Sequence, residues 1–145
     1  MNLESLKKTY DQNVDAYYKE LDSITAKLSG KIFEKDIKIH SLKSRVKTFE
    51  SLHNKIKIKK YETLGQCTDI IGCRVVCLFK DQVPQILKTI EEEFNVIESF
   101  EKGKDNDKIF AYSSHHLIIK TTHYCEIQVR TILQEAWAEM EHHVN

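Results

Sequence analysis

The sequence lacks any long apolar run, and it contains little proline or glycine. Its 145 residues include one proline and four glycines. No apolar stretch approaches the roughly 20 residues of a membrane-spanning helix, which excludes a protein with such a helix. We find no internal repeat, no low-complexity linker and no basic-then-apolar leader at the N-terminus. We therefore expect one globular domain over residues 1–145, located in the cytoplasm.

A metal-binding cysteine pattern is also missing. The four cysteines are Cys67, Cys73, Cys77 and Cys125, and their spacings match no zinc site. Three of the four lie in apolar, strand-like segments. The histidines offer no i,i+4 pair with a third ligand. We expect reduced thiols in the core, and a structural zinc site is not favoured.

The net charge is zero, but the positive charges are unevenly placed. One basic cluster is opposed only by Glu50 and comprises Lys43, Arg45, Lys47, Lys55, Lys57, Lys59 and Lys60. Such a cluster can attract phosphates or nucleic acid, although a lysine run more often forms a solvated helix surface. Both interpretations stay open at this point.

Hydrophobic periodicity predicts the elements of the N-terminal half. Apolar residues three and four apart indicate an amphipathic helix over 3–28, with a stop near Gly30. After a shorter element, a strand is expected to begin near Ile37 and end near Val46. Thr48 is expected to cap the next helix.

The C-terminal half predicts most of a sheet. Residues 73–79 form the strongest strand, which we expect to be central. Asp81 is expected to cap a helix, and further strands follow near 96–100, 113–121 and 124–130. Thr131 with Gln134 resembles a capping box that opens the last helix. The pattern is α/β (α+β), with helices on a mixed sheet.

The strand over 124–130 alternates between two kinds of side chain. In a strand, alternate residues face opposite sides, so the apolar face carries Cys125, Ile127 and Val129, and the polar face carries Glu126, Gln128 and Arg130. An acid, an amide and a guanidinium in a row suit a site for a metal and phosphates. A solvated strand face is the commoner explanation of such alternation.

Two other segments carry residues suited to the same chemistry. Arg45 and Lys47 precede a helix N-terminus, a place that favours phosphate, and Ser51 and Lys55 follow along that helix. Asp69 lies at the start of a strand, where a carboxylate is a usual Mg²⁺ ligand. That strand also carries Gly72, which permits close approach to a ligand, and Arg74.

A further segment covers residues 112–116, where Tyr112 could stack on a base and Ser114 and His116 could hold phosphates or a ribose. Each of these segments has an ordinary structural explanation when it is taken alone. Together, two acids, several cations and an aromatic ring around one sheet indicate metal-assisted phosphoryl or pyrophosphoryl transfer.

In this order, the segments resemble motifs of the synthetase domain of the RelA/SpoT family, whose members make the alarmones (p)ppGpp. The resemblance extends from about Arg45 to the C-terminus and is looser over the N-terminal helices. It is carried by residues 45–48, 69–76, 112–116, 126–131 and 137–142. Each motif is weak on its own, but the ordered set is specific.

The resemblance implies a nucleotidyltransferase-like α/β fold with a five-stranded mixed sheet flanked by helices. It implies an N-terminal helix over 1–30 and a catalytic core over 37–145. The implied activity is the Mg²⁺-dependent transfer of pyrophosphate from ATP to the 3′-hydroxyl of GDP or GTP. No paired-histidine hydrolase segment is present, so we expect no alarmone hydrolysis.

The resemblance also implies roles for individual residues. Asp69 and Glu126 would hold the metal, and Glu126 would act as the general base. The ATP side would be formed by Arg45 and Arg74 around the adenine, and by Lys47, Ser51 and Lys55 on the phosphates. The acceptor side would be formed by Tyr112 against the guanine, with Ser114, His116, Gln128 and Arg130.

The sequence departs from the family pattern around the acceptor tyrosine. Ala111 and Ser113 stand where the family usually has glycine and an arginine or lysine. Losing one charge-assisted contact costs on the order of 1.5–3 kcal/mol. This leaves open an adenine nucleotide or a tRNA 3′ end as acceptor, as in toxic members of the family, or a degenerate domain that binds nucleotide without turnover.

The extent of the chain leaves two further alternatives. The sequence ends at Asn145, directly after the last motif, where family members usually continue the helix. A C-terminally truncated fragment and a minimal member without an oligomerising tail both fit. A homo-oligomer is therefore neither required nor excluded.

Overall fold

The structure is a computed structural model that describes residues 2–103 and 113–144. The described residues form a five-stranded mixed sheet with helices on it, which confirms the predicted fold class. The elements are α1 (Leu3–Glu34), β1 (Ile39–Val46), α2 (Phe49–Lys59), β2 (Ile71–Cys77), α3 (Gln82–Glu93), β3 (Val96–Lys102), β4 (Ser114–Lys120), β5 (Tyr124–Thr131) and α4 (Ile132–Val144). A short 3₁₀ helix, Leu64–Gln66, precedes β2.

The strands are ordered β1-β2-β5-β4-β3 across the sheet. β2 and β5 are parallel, and the other neighbours are antiparallel. β2 is therefore internal, but the middle strand is β5, so the prediction that the strand over 73–79 is central is only partly right. Both strands bury apolar residues, and the sequence pattern does not rank two such strands.

One face of the sheet forms the core. α1 and α3 contact the sheet, and the fully buried side chains include Val75, Leu117 and Ile127. All four cysteines are buried free thiols, which confirms their predicted place in the core. In the described ranges, no helix is long and apolar enough to cross a membrane.

The end of α1 differs from the prediction, because the helix does not stop at Gly30. It continues to Glu34 and ends where Asp36 adopts a left-handed conformation with φ of 54°. A glycine inside a helix costs about 1 kcal/mol. Burial of Ile32, which is 3% exposed, offsets that cost and extends the helix. Residues 31–34 therefore complete α1 and form no separate element.

The structure confirms the predicted side-chain caps of α2 and α4 but not that of α3. Thr48 caps α2, and its hydroxyl accepts a hydrogen bond from the Ser51 N–H at 3.2 Å. The capping box of α4 is confirmed, since Thr131 and Gln134 exchange bonds of 2.8 and 3.2 Å. Asp81 occupies the cap position of α3, but its side chain makes no capping bond.

Two hydrogen bonds hold the backbone of Lys47, the residue that directly follows β1. The Lys47 N–H donates to the Ile70 carbonyl at 2.7 Å, which extends the β1–β2 pairing by one step. The Tyr10 hydroxyl of α1 donates to the Lys47 carbonyl at 2.8 Å. These two bonds fix Lys47 beside the residue that precedes β2, Ile70, and hence beside Asp69.

Candidate functional site

Strand register places polar side chains together on the face of the sheet opposite the core. Residues paired across neighbouring strands share a face, and one row therefore contains Lys43, Arg74, Gln128, His116 and Phe100. The neighbouring row pairs Arg45 with Gly72 and Gly72 with Glu126. The predicted polar face of β5 thus continues across the other strands.

A cavity of about 330 Å³ opens on this face. Its lining includes five residues that were assigned roles at the site, namely Arg45, Asp69, Arg74, Glu126 and Gln128, together with Lys43, Ser44, Gly72 and Cys73. These residues come from β1, β2 and β5, and from Asp69 just before β2. The structure therefore brings together the two acids and the two arginines that were assigned to metal and adenine.

Gly72 keeps the floor of the cavity low. A Cβ atom built at this position would lie 3.2 Å from the backbone oxygen of Glu126 on β5. Such a contact is tighter than ordinary van der Waals packing, so a side chain here would push the two strands apart. The glycine lets β2 and β5 approach closely beside the cavity that Asp69 and Glu126 line.

Asp69 is surrounded by donors. Its Oδ1 lies 2.7 Å from Lys55 Nζ and accepts a hydrogen bond of 3.0 Å from the Cys67 thiol, and its Oδ2 lies 3.2 Å from Lys47 Nζ. Burial raises the pKa of Asp69, but hydrogen bonds from Lys55 and Cys67 and the lysine charges outweigh burial and lower it to about 2. Asp69 is therefore an anion at neutral pH.

Glu126 has a different set of neighbours. Its Oε1 accepts a hydrogen bond of 2.8 Å from Gln128 Nε2 and lies 3.4 Å from His116 Nδ1. Burial and the charge of Asp69 raise the pKa of Glu126, whereas His116 and Gln128 lower it, and the net shift is downward. Glu126 is thus also ionised at neutral pH, in the state a proton acceptor needs.

Gln128 is held in one orientation. Its amide oxygen accepts from Arg74 Nε at 3.1 Å and from Arg130 Nη2 at 2.8 Å. Since both guanidiniums bind the oxygen, the amide nitrogen must point towards Glu126. The polar face of β5, identified in the sequence, therefore acts as one hydrogen-bonded unit in which Gln128 orients Glu126.

Glu135 on α4 is a residue of the site that the sequence analysis did not single out. This buried carboxylate lies 3.2 Å from Arg74 Nη1, 3.5 Å from Arg130 Nη1 and 3.3 Å from Lys43 Nζ. Burial raises its pKa, but Arg74, Lys43 and Arg130 lower it overall. Only the capping box pointed to the start of α4, and strand alternation gave no sign that a helix residue would reach across the sheet.

The remaining predicted acceptor-side residues include Ser114 and His116 on β4. His116 is buried and stacks on Phe100 with ring centroids 5.3 Å apart. Ser114 is also buried, and its hydroxyl has no hydrogen-bond partner in the described part of the chain. The Ser113 hydroxyl accepts a bond of 3.0 Å from Gln134. Tyr112, the predicted guanine-stacking residue, and Ala111 lie outside the described residues.

Three of the predicted ATP-side residues, Lys47, Ser51 and Lys55, do not line the cavity. Lys47 and Lys55 reach it through Asp69. Ser51 is an exposed residue in the first turn of α2, where free backbone N–H groups favour an anion. The lysines at the other end of α2, Lys57, Lys59 and Lys60, are exposed, as expected of a solvated helix surface.

The donor set fits a cation that arrives with a nucleotide. In residues 2–103 and 113–144, no three histidine, cysteine or acidic residues form a group that could hold a metal alone. Asp69 and Glu126 supply two carboxylates at one cavity. Mg²⁺ is usually held by one or two carboxylates together with substrate phosphates, so two acids among phosphate-binding cations suffice.

The fold and the site define a class of protein, an α/β protein that presents two acids and several cations on an open sheet face. Residues 44–145 match the family model described as "Region found in RelA / SpoT proteins". The chain belongs to the RelA/SpoT family, as its motifs suggested.

A curated relative is similar over most of this chain. It is "GTP pyrophosphokinase YwaC" of Bacillus subtilis (strain 168), with 33% identity over 125 residues. The match covers 73% of this chain and 58% of YwaC, so the chain spans little more than half the length of that relative.

Solved structures of similar proteins share the fold. A "GTP Pyrophosphokinase Family Protein" from Streptococcus pneumoniae has a TM-score of 0.80 and 27% identity, and the match covers all of this chain and 78% of that one. The small alarmone synthetase 1 from B. subtilis "bound to its product pppGpp" has a TM-score of 0.77 and 26% identity, covering 95% and 81% of the two chains. The same protein bound to AMPCPP has a TM-score of 0.73 and 25% identity, covering 95% and 79%.

Proposed function

We propose that the chain is a Mg²⁺-dependent (p)ppGpp synthetase that transfers pyrophosphate from ATP to the 3′-hydroxyl of GDP or GTP. The observation that carries the proposal is that Asp69, two residues before β2, and Glu126, on the neighbouring parallel strand β5, line one cavity together with Arg45 and Arg74. Relatives named GTP pyrophosphokinases, and a relative bound to pppGpp, support it.

ATP is expected to bind on the β1–α2 side of the cavity. Arg45 and Arg74 offer planar guanidiniums that stack on an adenine ring. Lys47 and Lys55, which pair with Asp69, would turn to the phosphates. Ser51 in the first turn of α2 adds a hydroxyl near the helix N-terminus.

The acceptor is expected on the β4–β5 side, with its 3′-hydroxyl at Glu126. Tyr112, Ser114 and His116 are proposed to hold the guanine nucleotide. Gln128, oriented by Arg130 and Arg74, fixes the Glu126 carboxylate through its amide N–H. The ionised state of Glu126 at neutral pH suits it to receive the hydroxyl proton.

The proposed step is a displacement at the β-phosphorus of ATP. The 3′-oxygen of the acceptor forms a bond to the β-phosphorus, and the bond from that phosphorus to the α,β-bridging oxygen breaks. AMP leaves with the electron pair, and the 3′-hydroxyl proton passes to Glu126. Asp69 and Glu126 would hold Mg²⁺, which supplies charge neutralisation on the phosphates when it is bound.

Product analysis tests the proposal. The protein is incubated with Mg²⁺ and γ-³²P-ATP, which places the label in the transferred group, and is offered GDP, GTP, ADP or deacylated tRNA. We expect label on GDP or GTP. We expect Glu126→Gln to lose transfer by about 10³-fold or more, because the base is gone, while ATP binding changes little. Unchanged turnover of this variant would rule out Glu126 as the base.

The other acceptors are alternative outcomes of the same experiment. Label on tRNA alone, with binding that weakens steeply as salt increases, would assign the chain to the RNA-modifying alternative, and label on ADP to an adenine-nucleotide alternative. ATP binding without any labelled product would indicate the degenerate alternative. Ser113 stands where the family usually has a cation, and its hydroxyl accepts a bond from Gln134. These outcomes show which acceptor is used when that cation is missing.

The proposal includes the setting of the enzyme. We infer a single synthetase domain over residues 1–145 that works in the cytoplasm, where ATP and guanine nucleotides are abundant. A homo-oligomer is compatible with this arrangement.

A further inference from the structure

The thiol of Cys67 contacts Asp69, although Cys67 has no role in the proposed reaction. Its sulfur lies 3.0 Å from Asp69 Oδ1 and donates a hydrogen bond to it. Cys67 is 3% exposed and directly follows the 3₁₀ helix Leu64–Gln66. That helix is anchored by buried Leu64 and by the Gln66 side chain, which accepts from the Thr63 N–H at 3.1 Å.

The three donors around Asp69 differ in how firmly they are held. Lys47 and Lys55 end in long, charged side chains, and phosphates of a bound nucleotide would compete with Asp69 for both ammonium groups. Cys67 has one side-chain torsion and a neutral, weak S–H donor that a phosphate attracts far less than it attracts an ammonium group. The thiol is therefore the donor that stays on Asp69 when the lysines turn to a nucleotide.

We propose that Cys67 is a positioning residue for Asp69: its thiol fixes Oδ1, so that Oδ2 is presented to the divalent cation. The inference rests on the proposed role of Asp69 as a metal ligand. A neutral donor suits this task because it orients the carboxylate without cancelling the negative charge that attracts the cation. Groups that orient metal ligands in this way contribute to metal affinity.

Metal binding tests the inference without reference to turnover. Binding of Mn²⁺, a spectroscopic substitute for Mg²⁺, is measured by electron paramagnetic resonance on the full chain with α,β-methylene-ATP. Loss of such an orienting group usually weakens metal binding about 10- to 100-fold. Since the thiol is a weak donor, we expect Cys67→Ala to weaken Mn²⁺ binding by about tenfold, the lower end of that range. Cys67→Ser keeps a donor and should remain within about threefold of the original chain.

Two further variants separate positioning from packing. Cys67→Val fills the space without a donor and should bind Mn²⁺ as weakly as Cys67→Ala. Cys77→Ala removes a fully buried thiol on β2 whose pKa is raised by burial alone, and it should leave Mn²⁺ affinity unchanged. Thermal unfolding of each variant reports whether it is folded, and Cys67→Ser and Cys67→Val serve if Cys67→Ala is not.

The outcomes are distinct from those that decide the function. Equal Mn²⁺ affinity in the original chain and in the donor-free variants overturns the inference even when transfer proceeds. A Cys67→Ser variant as weak as Cys67→Ala overturns it too, because a retained donor then gives no rescue. Absence of nucleotide-dependent Mn²⁺ binding in the original chain would overturn the proposed metal site itself.

Discussion

Asp69 stabilises the folded chain as well as shaping the site, because its charge neutralises two lysines. One of them, Lys47, is 7% exposed and would otherwise be a buried, unpaired cation. The pKa of Asp69 falls from 3.8 to about 2 on folding. A carboxyl whose folded pKa is depressed stabilises the fold above its unfolded pKa and loses that contribution as the pH falls through the folded pKa.

Asp69→Asn is therefore expected to be less stable at neutral pH and to differ less from the original chain in acid. The pH-dependent part amounts to about 1–2 kcal/mol after allowance for solvent screening. It should be present above about pH 4 and disappear towards pH 2. Urea unfolding of both chains at several pH values measures it. A stability difference that stays constant from pH 6 to pH 2.5 would contradict the assignment.

At the same scale, the sequence predicted several side chains of the site but not their neighbours. Alternation along β5 was enough to place Glu126, Gln128 and Arg130 on one face, since period two is a local property. The bond from Cys67 to Asp69 depends on the turn between the 3₁₀ helix and β2, which has no periodic pattern. Nothing in the local sequence indicates that this thiol contacts Asp69.

Among the elements, α1 shows tertiary packing overriding the helix-stop preference of a glycine. Gly30 looked like a helix stop, yet it lies inside the helix, and a Cβ atom there would meet nothing within 4 Å. A helix interior disfavours glycine relative to alanine by about 0.5–1 kcal/mol. The glycine therefore reduces stability without serving a close contact in the described structure.

We expect Gly30→Ala to raise the free energy of unfolding by about 0.5–1 kcal/mol, because it lowers the backbone entropy of the unfolded chain and adds no clash. Ala26→Gly, one turn earlier on the exposed side of the same helix, is the matched control and should lower stability by a similar amount. Thermal and urea unfolding measure both. A destabilised Gly30→Ala would show that this position has a contact beyond the described chain.

Strand order is the element-scale property that the sequence could not supply. The strength of the apolar run over 73–79 identified an internal strand, but the parallel pairing of β2 with β5 joins residues more than fifty positions apart. Side-chain pattern reports burial and not neighbours, so β5 could not be recognised as the middle strand. The two carboxylates meet only because of that pairing.

Across the whole molecule, Glu135 connects α4 with three strands. Its carboxylate contacts Lys43 of β1, Arg74 of β2 and Arg130 of β5. Without it, Arg74 and Arg130 repel each other, a repulsion that already contributes with burial to a lowered pKa of Arg130. Removing one partner of a fully buried ion pair usually costs about 3–5 kcal/mol, and less is expected here because solvent screens Arg74 and Lys43.

Glu135→Gln is expected to destabilise the chain by about 1–3 kcal/mol, because Arg74 and Lys43 are partly exposed and only Arg130 is buried, and to raise the KM for ATP more than it lowers kcat. The reason is that Arg74, the proposed adenine contact, loses the group that holds it. Glu139→Gln alters an exposed residue one turn along α4 and serves as the control. Steady-state kinetics with urea unfolding tests this, and a variant with normal stability and normal KM would contradict the role given to Glu135.

The rows of side chains across the sheet link correct strand register to the stability of the folded chain. Shifting β5 by one residue against β2 would turn Cys125, Ile127 and Val129 into the cavity and force Glu126 and Arg130 into the core. No chain could then be well packed and carry a misassembled site. The strand register that buries the apolar residues therefore also positions the reactive groups. A mispaired chain would be unstable, so it would not persist as a folded protein with a defective site.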